Sequence, residues 1–84
     1  MDEELHISSL VVHALPSKVQ AVYDAIGHLD GTEIHAVTVE GRMIVTLETE
    51  NEADFLKRFA EIDQLTGVVS TALVFHQVET IVRG

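Results

Sequence analysis

The chain has 84 residues, enough for one two-layer domain and no more. Hydrophobic residues make up 46% and charged residues 23%, the balance of a globular chain rather than a disordered one. A formal net charge of -9 with only five Lys and Arg excludes a basic stripe for nucleic acid and disfavours anionic membrane; the lack of Cys excludes disulfides, thiolate metal sites and Cys nucleophiles.

Residues 5 to 13 read as a strand, and Pro16, which has no N–H, stops its pairing. Ser17 with Gln20 three residues on forms a capping-box pattern, which opens a helix. Val19, Val22, Tyr23 and Ile26 then fall on one helical face, and Leu29-Asp30-Gly31 ends the helix. "TEIHAVTV" (32–39) and "RMIVTLETE" (42–50) are strands by β-branched content and alternation, joined by a tight turn at Glu40-Gly41. Asn51 is suited to cap a second helix, with Glu52 and Asp54 in its first turn and Phe55, Leu56, Phe59 and Ile62 as its buried stripe. Leu65-Thr66-Gly67 ends that helix, and "VVSTALVFHQV" (68–78) is the last strand.

The order is β-α-β-β-α-β. A shift of 36 positions lays Val19 on Phe55, Tyr23 on Phe59, Ile26 on Ile62, Leu29 on Leu65 and Gly31 on Gly67. Two βαβ halves with right-handed crossovers predict a ferredoxin-like α+β fold, a four-stranded antiparallel sheet of order 4-1-3-2 with both helices on one face. The whole chain, 1–84, is expected to be one domain with its core at about 5–78 and short flexible termini. No apolar run reaches the about 18 residues of a membrane span, and "MDEEL" lacks the basic start of a signal peptide, so a cytoplasmic location is expected.

Helices on one face leave the other open. Side chains alternate along a strand, so each strand divides into two sets. One division assigns Ile7, Ser9, Val11, Met43, Val45 and Leu47 to the helix side, with Ile34, Ala36, Ser70, Ala72 and Val74 beside them. The open face then carries Ser8, Leu10, Val12, Ile44, Thr46 and Glu48, flanked by Glu33, His35, Val37, Val69, Thr71, Leu73 and Phe75. Both sets are apolar on the first and last strands, so alternation alone does not choose between them. In this division the open face is an apolar patch with acidic margins, the usual sign of an interaction surface. A symmetric second copy would cover it equally well.

Little else in the sequence carries chemistry. The five histidines, His6, His13, His28, His35 and His76, show no metal-binding spacing, although His6 and His76 approach if the first and last strands pair. Glu33 and Glu48 share a flat face that does not exclude water, which suits solvated charges better than acid–base catalysis. The serines have no His/Asp partner pattern, and Gly31, Gly41 and Gly67 sit singly at turns. Phe75 without nearby Lys and Arg does not make a nucleic-acid platform. No enzymatic activity, metal or cofactor is expected.

Four segments, "SSLVVHALP", "GTEIHAV", "EGRMIVTLE" and "GVVSTALVFHQVE", resemble the NapD family, the maturation chaperones of periplasmic nitrate reductase. The matching positions are Ser8 to Val12 and Pro16; Gly31, Glu33 and His35; Gly41, Val45 and Glu48; and Gly67, Val68, Leu73, Val74 and His76. Arg42, Ile44 and Phe75 stand where the family pattern has Lys, Val and Tyr, and Asp30 stands where Pro is common. The resemblance runs from about residue 5 to 78. It implies a ferredoxin-like cytoplasmic chaperone, not inserted in membrane and monomeric or weakly dimeric. Such a chaperone binds the twin-arginine signal peptide of the nitrate reductase catalytic subunit and delays its export until the molybdenum cofactor is in place. Joined to the open face, it makes Leu10, Val12, Ile44, Leu73 and Phe75 the expected seat of the signal's apolar segment, with Ser8, His35 and Thr46 around them. Glu33 and Glu48 then receive the arginines by charge-assisted hydrogen bonds. The competing reading is a small-molecule regulatory βαββαβ domain acting as a dimer.

Overall fold

The computed structural model describes residues 2–82. Strand β1 (Asp2–Ala14) leads through a 3-10 turn at Pro16–Lys18 into helix α1 (Val19–Gly27). Strands β2 (Thr32–Val37) and β3 (Arg42–Thr49), helix α2 (Glu52–Asp63) and strand β4 (Val68–Val82) follow. The strands form one antiparallel sheet in the order β2-β3-β1-β4, the expected ferredoxin-like α+β arrangement.

The two outer strands in sequence run longer than expected. β1 begins at Asp2 and β4 continues to Val82, so most of the tail "ETIVRG" is strand; Arg83 and Gly84 lie outside the described residues. β3 reaches β1 only as far as Thr49 opposite His6. Beyond that point β1 and β4 pair with each other alone, as a two-stranded ribbon of residues 2–5 and 79–82.

α2 starts as expected, with Asn51 Oδ1 accepting the Asp54 N–H at 2.8 Å. α1 does not. Pro16 fixes a 3-10 turn, which places Ser17 inside the turn rather than at its boundary. The residue flanking α1 is Lys18, without a side-chain cap, and Gln20 donates to Asp24 Oδ1 instead. The sheet is met by Val22 and Ile26 of α1 and by Phe55, Phe59 and Ile62 of α2. Tyr23 and Leu56, one residue round from those stripes, are exposed. Gly41 lies at φ +95° in the β2–β3 loop, where its carbonyl accepts the Ala14 N–H at 2.8 Å and ties the end of β1 to the hairpin.

The core fixes the phase of every strand. Met43, Val45 and Leu47 of β3 are fully buried against the helices, as expected. Leu10 lies opposite Val45 and Val12 opposite Met43, and directly opposed residues share a face. Leu10, Val12 and Ser8 are therefore helix-side and fully buried, a correction to the expected open-face set. Ile7, Ser9 and Val11, expected under the helices, face the other way.

Three bulges alter the edge strands. In β4 an extra residue at Val74 places Leu73 opposite Leu10 but Phe75 opposite Ser9, so these two residues, two apart, lie on different faces. Leu73 and Thr71 thus belong to the helix side, while Ala72 and Ser70, opposite Val11 and His13, belong to the open side. A second extra residue, Val69, precedes Ser70. In β2 the extra residue is His35, after which Ala36 lies opposite Ile44 and Val37 opposite Met43. Both are the reverse of the expected placement.

Candidate functional site

With the register known, the open face reads as rows across the four strands. Arg42, His13 and Ser70 form the first. The next is apolar throughout: Ala36, Ile44, Val11 and Ala72. Glu33, Thr46, Ser9 and Phe75 follow, then Glu48, Ile7 and Gln77, then Leu5 and Glu79. Ile44 is 40% exposed and Phe75 51%, large values for aliphatic and aromatic side chains in a sheet. The face therefore grades from an end where Arg42 is paired with Glu40, through an apolar middle, to an acidic end.

Of the expected open-face residues, Glu33, His35, Ile44, Thr46, Glu48 and Phe75 are there, whereas Ser8, Leu10, Val12 and Leu73 are not. Ile7, Val11 and Ala72 supply the aliphatic surface in their place. His35 reaches Thr46 Oγ1 at 2.7 Å through Nε2, and the same nitrogen lies 4.0 Å from the Glu33 carboxylate. The bulge at His35 lets a histidine on β2 bond across to β3 beside an acid. The Glu33 side chain is 75% exposed, so its charge remains solvated and available. Arg42, at the other end, is paired with Glu40 at 2.7 Å.

A second cluster lies on the helix side, at the open end of the core. His6 is buried and its ring centroid is 5.5 Å from that of His76. His76 packs 5.0 Å from Phe55, centroid to centroid, and its Nδ1 is 2.7 Å from Ser8 Oγ. The expected approach of His6 to His76 is thus observed. Among the described residues no group of three or more His, Asp or Glu side chains is placed to hold a metal ion. Nearby, Glu3, Glu4, Glu50 and Asn51 line a cleft of about 260 Å³. Among the described residues no helix is long and apolar enough to cross a membrane.

Comparison with known proteins bears on the family and the fold. The family model described as "NapD protein" matches residues 5–80. A curated relative from Paracoccus pantotrophus, named Chaperone NapD, is 34% identical over 74 residues, covering 88% of this chain and 65% of the relative. Another of that name, from Haemophilus influenzae, is 25% identical over 73 residues, 86% of this chain and 78% of the relative. The solution structure of the E. coli Tat proofreading chaperone protein NapD superposes with a TM-score of 0.80 at 24% identity, over 87% of this chain and 78% of that one. That likeness establishes a shared fold.

Proposed function

The chain belongs to the NapD family, and from that premise we propose that its open sheet face binds the twin-arginine signal peptide of a periplasmic nitrate reductase catalytic subunit. Occupancy of the peptide delays export until the molybdenum cofactor has been inserted. The observation that carries the reading is the grading of the face. Val11, Ile44, Ile7 and Phe75 offer apolar surface to a signal's hydrophobic segment, and Glu33 and Glu48 lie beside them for its arginines.

The physics suits reversible holding. A patch in which Ile44 and Phe75 are exposed and Ile7 and Val11 partly buried gains about 25 cal/mol for each Å² it removes from water, part of which offsets the ordering of the peptide. Exposed carboxylates add steering and orientation more than affinity.

Titration calorimetry with the cognate signal peptide tests the proposal. Ile44→Asp and Phe75→Asp, at exposed positions, keep the fold and lose binding. Wild-type affinity in both folded variants would remove the open face from consideration, and failure of wild type to bind the peptide would remove the partner.

A further inference from the structure

The outer edge of β4 has no strand beside it among the described residues, and its two halves differ. The first half carries bulges at Val69 and Val74, a device that twists an edge away from further pairing. From Phe75 to Val82 the strand is regular, in unbroken register with Ser9 to Asp2. Exposed edges are ordinarily protected by charge, above all by lysine. Here the 15 residues of β4 contain one formally charged side chain, Glu79, in a protein of net charge -9. Beyond His6, moreover, the sheet narrows to the two-stranded ribbon, and such ribbons are marginal alone in water.

We infer that the regular half of β4 pairs with the same segment of a second copy, antiparallel about a two-fold axis at Val78, to form a continuous eight-stranded sheet. The axis is set by the residues. A two-fold axis normal to the sheet keeps each side chain on its own face, so each residue must meet one of like face and the axis must pass at a residue. An axis at Glu79 would put two carboxylates directly opposite. An axis at Val78 places Gln77 opposite the partner's Glu79, an amide against a carboxylate, and His76 opposite the partner's Thr80. Within one chain Gln77 Nε2 already donates to Glu79 Oε1, so the same bond can be exchanged between copies. Phase and register then bring the whole span from Phe75 to Ile81 into use.

A second copy is self-complementary at this edge. Each copy brings one carboxylate to the seam, Glu79, and the axis sets it against the partner's Gln77 amide rather than against another acid. Val78, 45% exposed, becomes buried at the axis. The ribbon gains strands on its open side, and each ribbon end lies against the wider part of the partner's sheet. Both helix pairs lie on one side, and the two graded open faces lie on the other, free and side by side.

Sedimentation equilibrium across micromolar to millimolar concentration tests this. Wild type shows a reversible monomer–dimer equilibrium. Val78→Lys, which sets two ammonium groups opposite one another, weakens it by about tenfold or more. An equimolar mixture of Val78→Lys and Val78→Glu restores association as a heterodimer. Ile44→Asp, on the open face, leaves it unchanged. Isotope-filtered nuclear Overhauser contacts between Val78 methyl groups of labelled and unlabelled wild-type chains give the same answer without substitution. A chain that stays monomeric at millimolar concentration, or a dimer lost with Ile44→Asp and kept with Val78→Lys, overturns the inference.

Discussion

Ser8 Oγ and His76 Nδ1 lie 2.7 Å apart, a hydrogen bond that joins β1 to β4 beneath helix α2. Ser8 is fully buried, so its hydroxyl has few other partners, whereas His76 is exposed overall and its ring is held by Phe55. Removing the bond by Ser8→Ala is expected to cost about 0.5–1.5 kcal/mol. Urea denaturation of the single variants and of Ser8→Ala with His76→Phe isolates the pairwise share. A coupling of zero would mean that the two groups meet without stabilising the fold.

The neighbour of that pair is less well satisfied. His6 is 6% exposed, and its buried Nδ1 has no hydrogen-bond partner among the described residues. Thr49, directly opposite it on β3, has a buried Oγ1 in the same condition. A buried polar group left unpaired costs about 1–3 kcal/mol, which an apolar group of similar shape does not incur. His6→Leu and Thr49→Val are each expected to raise the melting temperature. A fall in both would show that these groups have partners in solution.

β1 offers a test of the whole face assignment, because stability and binding should alternate along it. Leu10→Ala removes a fully buried side chain from the core and is expected to cost about 2–5 kcal/mol. Val11→Ala, one residue on, lies partly buried on the open side and is expected to cost less stability while weakening binding of the signal peptide. Reversal of the two phenotypes in denaturation and calorimetry would restore the opposite face.

That alternation also marks what the residues reveal before folding. The β-α-β-β-α-β order, the Asn51 cap and the phase of β3 are all legible, since Met43, Val45 and Leu47 contrast sharply with Ile44, Thr46 and Glu48. β1 gives no such contrast. Its two sets each hold a serine and two aliphatics, and the choice between them rests on a register with β3 that spans 35 residues, as between Leu10 and Val45. On β4 strict alternation joins Leu73 to Phe75, and a single extra residue at Val74 parts them. Bulges at Val69, Val74 and His35 have no local signature in residue type, so the edges were the least readable part.

Two glycines give opposite expectations on substitution by alanine. At Gly41 a Cβ would stand 2.2 Å from the Ala14 carbonyl oxygen, on a backbone at φ +95°. Clash and strain together are expected to destabilise Gly41→Ala by about 1–3 kcal/mol or more, and to loosen the end of β1. At Gly27, the last residue of α1, a Cβ meets nothing within 4 Å. Gly27→Ala should stabilise by about 0.5–1 kcal/mol through helix propensity. Thermal melts that rank the two variants the other way would contradict the loop geometry.

On the proposed binding of a basic peptide, the acidic end of the open face bears on how the peptide arrives rather than how long it stays. Glu33 and Glu48 are exposed, so each acts at the rim of the surface and not as a desolvated partner. Charges of that kind act mainly on the association rate, and salt screens them over a Debye length of about 8 Å at physiological ionic strength. Glu33→Gln with Glu48→Gln is expected to slow association with the twin-arginine peptide at low salt, and to leave dissociation nearly unchanged. The difference from wild type should vanish as salt rises. Stopped-flow measurements over a salt series check this; a change confined to dissociation would mean that the arginines are buried against these carboxylates after all, and equal association rates at low salt would place the arginines elsewhere on the face.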